Sequence, residues 1–318
     1  MVPEFSIIIA TKEIDAETKK CIECCLSQTF KNFEILLMPD FGKAKIEKTT
    51  IIETGKVKPS VKRNIAVKKA KGKFLAFVDS DAYPEKNWLN NCIKYFHDSR
   101  IGAVGGPNLT PKEDSFMQKA GGDVLASPLT GESSVRYKIA EKRVVDELPS
   151  CNLIVRREIF SKIQFEQSVL TAEDTSLCFE INKLGKKVLY VPDVIVFHHR
   201  RKLFYPHLKQ MWIYGRDLAW LLKKKTYPSI VFLYHSLLSW FVLFVLLGGI
   251  LSFFNPLIKQ IYLLLITIYL FIVLIFSIIG NLKRAIAIFP GIILTHISYG
   301  AGFIYGLISR NPTLKEKA

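Results

Sequence analysis

The chain has 318 residues, enough for one large domain with an appendix or for two domains. Its apolar fraction of 49% is ordinary and its formal net charge is +16, but from Ser229 onward the only Asp, Glu, Lys or Arg residues are Lys259, Lys283, Arg284, Arg310, Lys315, Glu316 and Lys317. That leaves 38 basic and 27 acidic residues, a net +11, in the first 228. Such a surplus favours polyanions such as nucleotide diphosphates and anionic headgroups. A nucleic-acid partner is set aside, because the basic residues do not belong to any recognisable nucleic-acid-binding module.

Met1 to Ser6 lack the basic and apolar regions of a cleaved signal peptide, so the first half is expected in the cytoplasm. Phe5–Ala10 (FSIIIA) is a β-branched buried strand, and 15–27 reads as a helix. Cys21-Ile-Glu-Cys24 has the form of a redox motif. It lies in the amphipathic run Ala16–Leu26, however, where i, i+3 and i+4 spacing puts Cys21, Cys24 and Cys25 near one buried face, so core packing is the preferred reading. With Cys92, Cys151 and Cys178 they make six cysteines without zinc-finger spacing, suited to a reducing cytosol. Phe33–Met38 is a second strand, 60–70 a helix, 74–78 a third strand and 87–97 a helix. This βαβαβ rhythm predicts a parallel, doubly wound sheet, which binds ligands beyond the carboxyl ends of its strands. Thr11, Asp40, Asp79 and Asp81 occupy those positions.

From 102 to 150 the pattern breaks into loops and short strands, a place to build an acceptor surface. Residues 151–155 read as a strand leading to a helix near Arg157. A helix over 174–184 ends at Gly185 as its C-cap, and 187–191 and 194–197 are the last strands. Then come His198-His199-Arg200-Arg201-Lys202 and Lys223-Lys224-Lys225. Between them 208–222 forms a basic, aromatic amphipathic helix that suits a membrane interface, or packing on the first domain.

Three apolar stretches follow, at 229–254, 257–279 and Ala285–Ile308, each long enough for the roughly 20 residues that span a bilayer. As core helices of a globular domain they would need a large partner domain, so they read as membrane spans. The positive-inside rule places the lysine run in the cytoplasm. Three crossings would put Lys283 and Arg284 inside and the C-terminus outside, a last step that Arg310, Lys315 and Lys317 oppose. The third stretch, with Pro290 and several glycines, is open to a re-entrant or interfacial reading. His235 and His296 lie within these stretches, where helix packing is the blander account.

Chemistry centres on Asp79-Ser80-Asp81. Two carboxylates at i and i+2 after a buried strand project into the ligand crevice, and a hard divalent cation takes one or two carboxylates with phosphate and water. Glu173-Asp174 also fit the start of a helix, where acids favour the dipole.

Several stretches in order, Ser6–Thr11, Ser27–Phe30, Phe33–Leu37, Lys58–Ala66, Ala70–Pro84, Trp88-Leu89, Asn152–Arg157, Glu173-Asp174, Gly185 and Pro192 to His199, together resemble family 2 glycosyltransferases over about residues 5–220. The resemblance implies a GT-A fold: an α/β nucleotide-sugar-binding domain with a Rossmann-like mixed sheet, followed here by an all-α transmembrane region. It divides the chain into a transferase domain (1–200), a basic interfacial helix region (201–227) and a transmembrane region (228–318). It implies base and ribose contacts for Thr11 and Asp40, although the family's usual second acidic residue is absent from Met38-Pro39-Asp40-Phe41-Gly42. Lys62 and Arg63 would lie near the nucleotide, with Asn152 also nucleotide-sugar-binding. Asp79 would contact ribose or metal, and Asp81 the metal. One of His198 and His199 would join them, since successive strand residues face opposite sides. Arg200 and Arg201 would hold the diphosphate or anchor to anionic lipid. Glu173 and Asp174 would be the catalytic acids, with Asp174 the general base.

The resulting expectation is a membrane-anchored, multi-pass, inverting glycosyltransferase that uses Mg²⁺ or Mn²⁺ and a UDP-, GDP- or dTDP-sugar. Its acceptor would be polyprenyl phosphate, a lipid-linked oligosaccharide or an envelope polysaccharide, with membrane lipids as partners and homo-oligomerisation open. The processive synthases' Gln-x-x-Arg-Trp pattern is only faintly echoed by Gln210-Met-Trp212, which favours addition of a single sugar. The competing class is a non-catalytic membrane scaffold derived from such an enzyme.

Overall fold

A computed structural model describes residues 2–42, 44–224 and 229–310; Lys225 of the lysine run and the tail's Lys315, Glu316 and Lys317 lie outside them. The chain forms two compact units, one of Met1–Lys112 with Val135–His199, the other of Glu113–Ser134 with Arg200–Ala318.

In the first unit, β1 (Phe5–Ala10), β2 (Phe33–Met38), β3 (Thr49–Ile51) and β4 (Phe74–Asp79) run parallel, in spatial order β3-β2-β1-β4. A short β5 (Ala82–Pro84) follows, then β6 (Ile101–Gly105), β7 (Asn108–Leu109), β8 (Arg143–Val145), β9 (Leu153–Arg156), β10 (Lys187–Tyr190) and β11 (Val196–His198). Strand β9 inserts antiparallel between β4 and β6, and β10 and β8 complete an eight-stranded mixed sheet. Strands β5, β11 and β7 make a small second sheet.

Strand alternation explains why the sheet is covered on both faces. Ile7, Ile9, Ile35 and Leu37 point to one side, packed with Cys21, Ile22 and Cys25 of α1 (Ala16–Leu26) and with Trp88 and Leu89. Ile8, Leu36, Leu75 and Phe77 point to the other. They meet Ala66 of α2 (Pro59–Lys69) and Leu177, Cys178 and Ile181 of the helix Glu173–Lys183. That helix ends before Gly185, whose φ of 74° is the left-handed conformation of a C-cap. Cys21 and Cys25 of α1 are buried, as core packing requires, whereas Cys24 is only half-buried.

Local differences from the sequence reading have local causes. The predicted 87–97 helix is α3 (Trp88–Ile93) followed by a tighter 3₁₀ turn, Lys94–His97. Residues Ser150–Asn152 form a 3₁₀ turn, so β9 starts at Leu153, and the helix expected at Arg157 is a 3₁₀ turn to Ser161. The broken region hides α4 (Phe116–Ala126), capped by Ser115 and Gln118 in a reciprocal box, and it belongs to the second unit. Within it a Cβ at Gly121 would lie 3.0 Å from the Arg201 carbonyl, so a small residue fits there.

With α5 the helix Glu173–Lys183 of the first unit, the second unit also holds α6 (Tyr205–Lys224), α7 (Ser229–Leu251), α8 (Pro256–Gly280) and α9 (Ala285–Ile308). Three spans, Val231–Leu251, Pro256–Gly280 and Leu282–Ile308, are long and apolar enough to cross a membrane. Helix α9 runs unbroken through Pro290, and half of its apolar window is buried, against 17% for α7 and 11% for α8. It is the inner helix, with α6 lying along it. Gly302 and Gly306 face the backbone of Trp212 and Arg216, the Ser298 hydroxyl donates to the Leu208 carbonyl (2.7 Å), and the Lys223 ammonium donates to the carbonyls of Leu307 and Ser309. Tyr205, Lys209 and Trp212 of α6 stay exposed. His296 is buried between the Tyr269 hydroxyl and the Leu129 carbonyl, each 3.0 Å away, which is a packing role.

Candidate active site

The site lies beyond the carboxyl ends of β1, β2 and β4. Thr11 follows β1 and is buried, its hydroxyl donating to the Glu13 carbonyl (2.7 Å). Asp40 follows β2. The buried ammonium of Lys62, from α2, donates to the carbonyls of Thr11 (2.6 Å) and Met38 (3.2 Å) and to Asp40 Oδ1 (2.5 Å). An ammonium has three donors, and all three are engaged, so Lys62 braces the two strand ends against each other.

Arg63 turns a different face of α2 toward β4. Its Nη2 donates to Asp79 Oδ1 and its Nη1 to Glu173 Oε1, both at 2.7 Å, while the guanidinium lies over the Phe165 ring (5.6 Å). Arg63 is thus a buried bridge between the acid that ends β4 and the acid that starts α5.

Asp81 sits in the turn between β4 and β5. The antiparallel pairing of β5 with β11 sets His198 opposite Ala82, and His198 Nε2 reaches Asp81 Oδ1 at 3.2 Å. Ligand atoms of Asp79, Asp81 and His198 all lie within 4.8 Å of one another. Two carboxylates and an imidazole suit Mn²⁺ or Mg²⁺. The 3.2 Å contact of Nε2 with Asp81 Oδ1 turns that edge of the His198 ring toward the acidic pair. Burial works against protonation of His198, but the neighbouring Cys151 and Asp81 outweigh it and hold the imidazole well above its ordinary range. His199 turns the other way, with Nε2 3.6 Å from Glu17 Oε2 and its ring edge-on to Tyr83.

Asn152 is fully buried. Its Oδ1 accepts from Trp88 Nε1 (2.8 Å), and its Nδ2 donates to the carbonyls of Pro107 (3.1 Å) and Val194 (2.7 Å). It ties three segments behind the site together. Arg200 and Arg201 belong to the second unit: Arg200 is buried, its N–H donating to Asp114 Oδ2 and its carbonyl accepting from Gln118, while Arg201 is exposed.

Glu173 and Asp174 open α5, behind Ala172 at a left-handed φ of 62°. Neither is the N-cap residue. Burial first, then the Asp174 charge, pushes Glu173 up to about 7, with Arg63 pulling the other way. Asp174 Oδ2 accepts from the Ser150 N–H (3.1 Å) and Oδ1 from the Thr175 N–H (2.9 Å). Burial raises it above the ordinary carboxylate range, Arg136 opposes that rise and Glu147 adds to it. Arg136 and Glu147 are paired at 3.2 Å, and Thr175 Oγ1 donates to Glu147 Oε2 (2.6 Å). Nothing in the sequence flags these two residues, because they lie in the stretch without periodicity.

The mixed sheet, with a metal-ready acidic pair at the end of its fourth strand, is the GT-A architecture of nucleotide-sugar-dependent transferases. A mannosyltransferase from Pyrobaculum calidifontis, PcManGT, solved with GDP-Man and Mn²⁺, shares the fold with a TM-score of 0.50 at 16% identity, over 71% of this chain and 66% of that one. The chain belongs to glycosyl transferase family 2, whose pattern matches residues 6–164, and it is a glycosyltransferase. A Methanococcus voltae protein is 26% identical over 337 aligned positions, 98% of this chain and 99% of the relative. It is named dolichyl N-acetyl-α-D-glucosaminyl phosphate 3-β-D-2,3-diacetamido-2,3-dideoxy-β-D-glucuronosyltransferase. The pre-mycofactocin glycosyltransferase of Mycobacterium tuberculosis is 23% identical over 185 positions, and there the match covers 54% of this chain and 37% of the relative.

Proposed function

We propose that the protein moves one sugar, with inversion, from a nucleotide-sugar to a hydroxyl of a lipid-linked saccharide at the cytoplasmic membrane face. The observation that carries this reading is the Asp79–Arg63–Glu173 bridge, which makes one connected cluster of the metal-ready acids and the helix-borne acids. Base and leaving group must flank one reacting carbon, and this connection supports that arrangement. Thr11 and Asp40, braced by Lys62, form the nucleoside end. A divalent cation held by Asp79, Asp81 and His198 would neutralise the leaving diphosphate.

An attacking hydroxyl becomes more acidic as its bond to the anomeric carbon forms, and Asp174 takes that proton. Asp174 suits the task because its carboxylate is aimed by two backbone N–H groups and its proton affinity is raised by burial. Among the acceptors compatible with the sequence, a bare polyprenyl phosphate is disfavoured. Already anionic, it needs no base, which would leave Asp174 without a proton to take. A sugar hydroxyl on a lipid carrier does need a base, and the Methanococcus voltae relative is named for action on such a compound. The apolar spans and the exposed Lys209, Trp212 and Tyr205 of α6 support anchorage to the bilayer that holds the acceptor.

The test is nucleotide release by detergent-solubilised protein across a panel of UDP-, GDP- and dTDP-sugars with Mn²⁺, with and without membrane lipid extract, beside Asp81→Ala and Asp174→Asn. Donor-selective release, stimulated by the extract and lost in both variants, is expected. Undiminished nucleotide binding with no release from any donor, extract included, would instead support the scaffold reading.

A further inference from the structure

The Arg136–Glu147 pair stands beside Asp174 and has no part in the reading above. Arg136 comes from the 3₁₀ turn Glu132–Tyr137 and Glu147 from the segment after β8. The pair is largely shielded, with side chains 15% and 18% exposed. One oxygen of Glu147 takes the Arg136 guanidinium at 3.2 Å, and the other takes the Thr175 hydroxyl at 2.6 Å. Thr175 is the residue whose N–H holds Asp174 Oδ1. A continuous chain therefore runs from Arg136 through Glu147 and Thr175 to the carboxylate of Asp174.

We propose that Arg136 and Glu147 are positioning residues for Asp174: through Thr175 they fix where its carboxylate points, and their opposite charges set how readily it takes a proton. The inference rests on the assignment of Asp174 as general base. Other groups also face Asp174. Glu173 adjoins it on α5, Arg63 approaches from α2, Cys178 lies one turn along α5, and the N–H groups of Ser150 and Thr175 hold its oxygens. Arg63 is engaged by Asp79 and Glu173, and Arg136 is paired with Glu147. The two members of the pair act on Asp174 with opposite sign: Arg136 favours its ionised form and Glu147 its protonated form.

That opposition gives a signature that loss of packing cannot imitate. Full-length Glu147→Gln, Arg136→Met, Arg136→Lys and Asp174→Asn are compared with wild type in detergent. The pH dependence of kcat is measured with the donor that wild type turns over, with lipid extract as acceptor. In parallel, the pH midpoint of carbodiimide labelling at Asp174 is read by mass spectrometry, which needs no turnover. A neighbouring unit charge moves a carboxyl by about one pH unit. Glu147→Gln, which keeps the Thr175 bond, is expected to move the acid limb and the labelling midpoint down by about that amount. Arg136→Met is expected to move both up, Arg136→Lys to restore them, and KM for the donor to stay within about twofold. Midpoints that stay put, or shift in the same direction in both charge-removing variants, overturn the inference. If Asp174→Asn turns over normally, the base assignment itself has failed, an outcome distinct from unmoved midpoints beside an inactive Asp174→Asn.

Discussion

Replacing Arg63 by Met is the most informative perturbation, because the guanidinium is buried and pairs with two carboxylates. Its ion pairs to Asp79 and Glu173 are both 2.7 Å, and Glu173 is only 10% exposed while Asp79 is 31% exposed. Removing one partner from a buried pair costs about 3–5 kcal/mol, since the charge left behind is uncompensated. The cost depends on pH through Glu173. Its folded value of about 7 lies above its ordinary 4.5, so the folded protein binds this proton more tightly than the unfolded chain. Stability from this group is therefore complete below about pH 4.5 and falls by roughly 3 kcal/mol as pH rises to about 7. Losing Arg63, which pulls Glu173 down, extends that fall to higher pH. At about pH 5.5 Glu173 is protonated in both proteins. What then remains is the half-wet Asp79 pair and the contact with Phe165, a loss of roughly 1–2 kcal/mol. At about pH 8 the full 3–5 kcal/mol is expected, roughly 6–20 °C in unfolding temperature for a unit of this size. Tryptophan fluorescence during heating in detergent at the two pH values measures both. An equal loss at the two pH values would refute the account of Glu173, and a loss below about 1 kcal/mol at the higher pH would refute the bridge as a stabilising element.

Metal binding should separate the two histidines: His198→Ala is expected to weaken Mn²⁺ binding, followed by electron paramagnetic resonance, by at least about tenfold, while His199→Ala leaves it unchanged. Equal effects would mean that the Asp79–Asp81–His198 cluster is not the cation site. Asn152→Leu should destabilise by roughly 2–4 kcal/mol, because Trp88 Nε1 and the carbonyls of Pro107 and Val194 lose their buried partner; unchanged stability with lost nucleotide binding would make Asn152 a ligand contact instead. Gly302→Leu forces a side chain into the Trp212 backbone and should lower the unfolding temperature of α6 against α9, an overpacking cost of about 1–3 kcal/mol. Resistance to that change under heating in detergent would show the helices to be less closely apposed.

The strands and the apolar helices were legible in the sequence because their signals are local. FSIIIA, with its β-branched isoleucines, and FEILLM are short apolar runs of strand length, and three runs above bilayer length need no tertiary partner to be recognised. The acidic residues at strand ends were likewise visible, since a doubly wound sheet sends its ligand side chains to one edge. What the tertiary structure alone decided was which of those residues meet. Lys62 and Arg63 are neighbours in sequence, and only the fold shows that one is spent bracing Asp40 and the other joins Asp79 to Glu173. The choice between His198 and His199 followed from the register of β11 on β5, a pairing more than a hundred residues apart in sequence. Asn152, whose residue type suits a ligand contact, proved to be enclosed by three backbone and side-chain partners. Helix α4 lay inside the 102–150 stretch that reads as loops and short strands, and Arg136 and Glu147 lie in the same stretch. Local periodicity records what each segment must bury, whereas hydrogen bonds and ion pairs between distant segments depend on a register that exists only after the chain has closed on itself.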